Sequence, residues 1–184
     1  NAQPTRAINF DNVRVPVENR LGEEGQGFAI AMDGLDGGRI NIATCSVGTA
    51  QKAIIDATEY TQQRNQFGNS IADFQATQFS LADMLTELVA ARQMVRLAAY
   101  KLDTKDSQAG TYCAMAKRFA TDVGFRICND ALQLFGGYGY LKEYPMERYV
   151  RDTRVHQILE GTNQIMRVII ARKMLMAGAL EVIQ

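Results

Sequence analysis

The chain has 184 residues, 47% hydrophobic and 22% charged, with 20 Lys plus Arg against 20 Asp plus Glu and a formal net charge of zero. That balance supports one packed domain, and without a basic excess or a block of like charge neither nucleic acid nor an anionic membrane is a natural partner. Cys45, Cys113 and Cys128 are widely spaced with no CxxC pair, and His156 is the single histidine. This falls short of a zinc ligand set and predicts reduced, packed thiols in an intracellular protein. No run reaches roughly 18 apolar residues, so no membrane span is expected. The chain opens in mid-pattern without an initiator Met. It is therefore expected to be a fragment, and a missing targeting signal carries no meaning.

Ile8 to Leu21 alternates, with Val13, Val15 and Val17 on one face and Asn12, Arg14 and Pro16 on the other. A period of two with a proline suits an edge strand or a strand end. This predicts the last strand of an upstream β unit, then a turn at Gly22 to Gly27. Residues 1–24 are thus expected to end a β domain and its linker, and 25–184 to form a helical domain. From Phe28 the period changes, with Ala50, Ala53, Ile54, Ala57 and Tyr60 at helical spacing. Gly34, Gly37 and Gly38 predict a junction between a short helix and a long one running from about Gly38 to Gln63. Arg64 to Phe74, RNQFGNSIADF, supplies turn chemistry.

A second helix is predicted from Gln75 to about Leu102, with Leu81, Met84, Leu85, Leu88, Ala91, Val95, Ala98 and Leu102 on one stripe. A third follows from about Thr111 to Leu134 through Met115, Phe119, Val123 and Ile127, ended by Gly136, Gly137 and Gly139. Pro145 suits the first position of a short helix, and a last helix is predicted from about Asn163 to Leu175. Three helices of roughly 24 to 28 residues joined by short links predict an all-α fold, an antiparallel bundle preceded by a remnant β-strand. Ala and Met on more than one helix face imply a subunit interface.

The chemistry gathers in Arg151 to Arg167, RDTRVHQILEGTNQIMR. Glu160 stands beside Gly161, whose backbone can approach a ligand closely, and Thr162, Asn163 and Gln164 can cap a helix and leave amide donors free. The residues alone leave two readings open, a positioned base or a solvated glutamate at an ordinary helix start. His156 reads as a satisfied packing residue, Arg151, Asp152 and Arg154 as a local salt-bridge set, and Tyr138, Tyr140 and Tyr144 as a packed aromatic group.

Four segments together, GLDGGRINIA from Gly34, RNQFG from Arg64, LQLFGGYGY from Leu132 and RDTRVHQILEGTNQIMR, resemble the acyl-CoA dehydrogenase family. They occur in the family's order and cover nearly the whole chain, matching its C-terminal helical domain after the end of the central β domain. GLDGGRINIA and YLKEYPMERYVRDTRVHQILEGTN look most like the short branched-chain members. The resemblance implies α,β-dehydrogenation of an acyl-CoA thioester to the enoyl-CoA. Glu160 would take the α proton, and N5 of FAD the β hydride.

A thioester α-CH is a feeble acid, so its base must be held against it in a dry site, with donors for the charge developing on the carbonyl oxygen. Some family members carry the base on the earlier helix, next to the arginine of that segment; here Gly38 stands there. Asp36, Gly37, Gly38, Arg39, Gly161 and Arg172 would line the substrate side. For Arg39, an ion pair with Asp36 is the alternative.

FAD contacts carry over to Arg64, Gln66, Phe67, Phe74 and Gln75, and to Gln133, Leu134, Phe135, Gly136 and Gly137. In the family these two motifs reach the cofactor of a neighbouring subunit. Thr162, Asn163 and Gln164 would touch FAD in the chain's own site. Implied partners are an acyl-CoA, electron-transfer flavoprotein and three further copies, in a homotetramer built as a dimer of dimers. The implied compartment is bacterial cytoplasm or mitochondrial matrix. An acyl-CoA oxidase shares the base but gives its electrons to oxygen. The fragment by itself could be only a helical oligomerisation module without activity.

Overall fold

The structure, a computed structural model, describes residues 6–178; residues 1–5 of the expected β segment and 179–184 of the expected helical domain lie outside the described residues. Among the described residues, five α-helices carry the fold. The first, α1, is Gly27–Gln63, continuous through Gly34, Gly37 and Gly38 where a junction was predicted. A glycine in a helix interior costs about 1 kcal/mol relative to alanine, which weakens a helix without ending it. No proline between Gly27 and Gln63 interrupts the hydrogen-bond ladder. At 37 residues α1 is a rod of about 55 Å.

Ahead of it, the alternating segment forms no strand among the described residues. Val13 and Val15 stay 60% and 68% exposed, and only a single 3-10 turn, Val17–Asn19, is regular. A strand exists through its ladder, and this segment has no partner here to supply one.

After α1 the chain makes a hairpin of β1, Asn65–Gln66, and β2, Asn69–Ser70, with Asn65 opposite Ser70. Its two turn residues, Phe67 (φ 51°) and Gly68 (φ 84°), are both left-handed, the conformation a two-residue hairpin loop demands. Helix α2, Gln75–Asp103, and α3, Ala109–Phe135, follow. A 3-10 turn, Gly136–Tyr140, leads to α4, Met146–His156, with Pro145 at its N-cap, and to α5, Asn163–Ala177.

Helix α3 is the centre, packing on α1, α2, α4 and α5, so it is buried on more than one side. Cys113, Ala116, Ala120, Gly124, Ile127 and Ala131 face inward, whereas Met115 and Phe119 of the predicted stripe are only half-buried. On α2, Met84, Leu88, Ala91, Val95 and Ala98 are buried as expected, but Leu85 is 54% exposed. Small residues let α1 and α3 approach closely: a Cβ added at Gly124 would lie 3.0 Å from the Ser46 Cβ. Cys113 and Cys128 are buried, their thiols pushed up to about 11 and about 12 by burial; Cys45 is exposed.

Candidate functional site

Two groups of expected site residues form, one against Gly38 in the first half of α1 and one at the C-terminal end of that helix. The first is an elbow between α4 and α5. Glu160 (φ 56°) and Gly161 (φ 89°) are consecutive left-handed residues. For glutamate that conformation costs about 1–2 kcal/mol, and it persists only where the surroundings over-determine it. The Thr162 Oγ1 then accepts the N–H of Ile165 at 3.3 Å and starts α5. The elbow turns the Glu160 carboxylate onto α1, where it lies directly over Gly38: an added Cβ at Gly38 would collide with one carboxylate oxygen and with Cδ, and would crowd the other oxygen. Glycine at position 38 is therefore a spatial requirement of the glutamate, which is half-buried there.

Beneath the elbow is a buried polar network. Lys117 of α3 is fully buried, and its Nζ donates to the Gly161 carbonyl at 2.7 Å and to Asn163 Oδ1 at 2.8 Å. Asn163 Nδ2 donates to Asp122 Oδ1 at 2.7 Å and to Thr121 Oγ1 at 2.9 Å. Gln157 Nε2 reaches the same Asp122 oxygen at 2.8 Å, and the Asn163 N–H returns to the Gln157 carbonyl at 3.0 Å. Burial pulls the Lys117 ammonium down to about 8, opposed by the negative charges of Asp122 and Glu160. Asn163, expected at the cofactor, is 3% exposed with its side chain and N–H engaged inside the chain, so it acts as a pin.

Asp36 and Arg39 form an ion pair at 2.5 Å, the alternative reading given for Arg39. Arg39 is 9% exposed, and its Nε is buried without a hydrogen-bond partner among the described residues. Gly37 is half-buried; Gln164 and Arg172 lie exposed on α5, Arg172 well beyond the elbow.

The second group lies at the other end of α1, about 40 Å from Gly38 at a rise of about 1.5 Å per residue. RNQFG and LQLFGG, far apart in the chain, line one cleft of about 430 Å³ through Arg64, Gln66, Gln133, Phe135, Gly136 and Gly137. Leu134 also lines it. Gly136 is left-handed (φ 57°), and nothing lies within 4 Å of a Cβ built on it or on Gly137, so backbone is open to a ligand. Tyr60 stacks on Phe135 at 4.1 Å and forms the aromatic wall of the cleft with Tyr138, Tyr144 packs edge-on against these rings without lining the cleft, and the Arg64 guanidinium lies 5.3 Å from the Tyr138 ring centre. Tyr140 is 79% exposed and outside this group. Phe67, 91% exposed, meets Phe74 edge-on beside the cleft, and Gln75 opens α2 next to it.

Lys117, Asp122, Gln157 and Ser46 were not expected at the site. The one sequence signal was a lysine amid alanines on the α3 face that Cys113 and Ala120 also occupy. Arg151 pairs with Glu147 at 2.6 Å and Arg154 with Gln157 at 3.1 Å. His156 is buried, with Ser46 Oγ 2.8 Å from its Nδ1, a satisfied packing residue. Burial holds its imidazole below the ordinary 6.5. An unfolded chain therefore takes up a proton near pH 6.5 that the folded chain refuses. Its contribution to stability is complete above that pH and is lost as pH falls through it. His156→Gln is expected to flatten the acid-side decline in denaturant midpoint; an unaltered slope contradicts the assignment.

An α bundle with a glutamate elbow over a glycine of its longest helix, and an arginine–glycine cleft at that helix's far end, defines the class. The acyl-CoA dehydrogenase C-terminal domain matches residues 25–175, and the chain belongs to that family. It is 56% identical over 175 residues to mitochondrial isobutyryl-CoA dehydrogenase of Bos taurus, covering 95% of this chain and 42% of that protein. Butyryl-CoA dehydrogenase from Megasphaera elsdenii superposes with a TM-score of 0.87 at 47% identity, over 90% of this chain and 43% of that one. A chain in the structure of the electron transferring flavoprotein of Acidaminococcus fermentans superposes with a TM-score of 0.88 at 48% identity, over 91% of this chain and 44% of that one. The chain thus spans less than half the length of the relatives it matches. No helix among the described residues is long and apolar enough to cross a membrane.

Proposed function

We propose that the whole protein dehydrogenates a short or branched acyl-CoA thioester to the enoyl-CoA, with Glu160 as the base that removes the α proton. The observation carrying this reading is the Glu160 carboxylate held over Gly38 by a left-handed elbow. A carboxylate on a fixed turn, seated against a helix position that carries no side chain, is held in one orientation, which is what abstraction of a proton from carbon requires of a base. The N–H groups of Glu160 and Gly161 bond to nothing among the described residues and are available donors for the thioester oxygen as charge develops on it.

FAD, when bound, would supply the hydride acceptor. The Arg64 cleft fits its diphosphate: one guanidinium, open glycine backbone and an aromatic wall suit a dinucleotide. A dinucleotide cannot bridge the roughly 40 Å between this cleft and Glu160, so the two groups of one chain serve two cofactors. That makes assembly part of the site. Exposed Phe79, Leu85, Leu97 and Tyr100 on α2 and Ile165, Leu175 and Met176 on α5 supply apolar surface for it, in keeping with a homotetramer. Taken by itself, the chain, which spans less than half the length of the relatives it matches, then serves as an assembly module without turnover. Electron-transfer flavoprotein is the proposed acceptor, and the compartment is bacterial cytoplasm or mitochondrial matrix.

A substrate panel on the full-length protein tests the reading. Isobutyryl-, 2-methylbutyryl-, butyryl- and octanoyl-CoA are offered with either electron-transfer flavoprotein or oxygen as acceptor. Enoyl-CoA is expected from the short and branched substrates with the flavoprotein acceptor. Product with oxygen alone would make the protein an oxidase, and no product from any thioester would end the proposal.

A further inference from the structure

Lys117 is fully buried, and no carboxylate lies within ion-pair distance of its Nζ among the described residues. Asp122 on its own helix and Glu160 on the elbow attract it through space, and Arg39 of α1 opposes its charge. His156 of α4 feels its charge as well. An ammonium without a contact ion pair is an expensive occupant of an alanine-lined interior, where a methionine of similar length would pack without desolvation cost. What lysine adds there is a set of directed donors. Two of them go to the elbow, at the Gly161 carbonyl and the Asn163 amide oxygen.

We propose that Lys117 is a positioning residue for the base: its clamp on the Gly161 carbonyl holds the left-handed Glu160–Gly161 pair in the orientation that lays the Glu160 carboxylate over Gly38. The inference rests on Glu160 being the base, but the clamp can be measured without that premise. Gly161 can rotate freely, since glycine has no Cβ to resist it. Its carbonyl direction is thus set by what bonds to it, and Lys117 Nζ at 2.7 Å is that bond. Release of the carbonyl frees the Gly161–Thr162 peptide, and with it the link from Glu160 to the N-cap, so the carboxylate loses its fixed aim while the helices on either side stay packed. A base that wanders by about 1 Å loses on the order of 10²-fold in rate, with little effect on thioester binding made elsewhere.

The test uses the full-length holoenzyme with Lys117→Met, which keeps the stem, and Lys117→Gln, which keeps a neutral donor. Glu160→Gln is carried in parallel. Lys117→Met is expected to lower kcat per bound flavin by about 10²-fold with KM nearly unchanged. Backbone amide exchange at 157–163 should accelerate while that of α2 stays as in the parent. Lys117→Gln should fall between the two. Parental kcat per flavin with parental exchange at 157–163, in either lysine variant, overturns the proposal; if Lys117→Met does not fold, Lys117→Gln decides alone. Retained turnover in Glu160→Gln would overturn the base assignment instead, and the exchange rates would still decide whether Lys117 pins the elbow.

Discussion

Full-length protein carrying Glu160→Gln is expected to keep its bound flavin and lose α-proton exchange and dehydrogenation by about 10³-fold, within the range spanned by general-base catalysis. The amide has the size of the carboxylate and can occupy the place over Gly38, so the elbow and its network should survive. What disappears is the lone pair able to accept a proton from carbon. Exchange of the α hydrogen with solvent deuterium, followed by mass spectrometry on the thioester, isolates that step from later ones. An exchange rate within tenfold of the parent would remove Glu160 from the chemistry.

The second large effect separates activity from stability. Gly38→Ala places a methyl group where the Glu160 carboxylate now lies. In the interior of α1, alanine is favoured over glycine by about 1 kcal/mol, and the group it meets is the end of a flexible side chain that can swing aside. The variant is therefore expected to unfold at the same or slightly higher denaturant concentration. Its kcat/KM should nevertheless fall by about 10²-fold, because the carboxylate is displaced from its aim. Parental kcat/KM in a stable Gly38→Ala enzyme would show that the close approach is incidental to the reaction. Chemical unfolding and steady-state kinetics on one preparation suffice.

Both variants depend on a contact between residues far apart in the chain, and this marks the boundary of what was readable beforehand. The period of 3.6 residues placed α2, α3 and α5 to within about two residues at either end, since apolar spacing and terminal glycines act locally. The same local logic misplaced the start of α1. Gly34, Gly37 and Gly38 look like a break when only propensity is weighed, yet their cost is smaller than that of interrupting a rod packed along α3. The alternation at Val13, Val15 and Val17 marked a strand whose ladder needs a partner that the described residues do not contain. A lysine in a helix is ordinarily solvated, so the burial of Lys117 becomes visible only when α3 is surrounded by four helices.

The sequence by itself determined the helical class, the family through four motifs in order, and the glutamate beside glycine, because each is a matter of residue type and spacing along the chain. Only the tertiary structure decided that Glu160 lies over Gly38, that a buried lysine grips the next carbonyl, and that RNQFG and QLFGG share a cleft at the far end of the same helix. Those facts come from how helices cross and how a left-handed pair turns the chain. Side chains distant in sequence meet only after the backbone has packed.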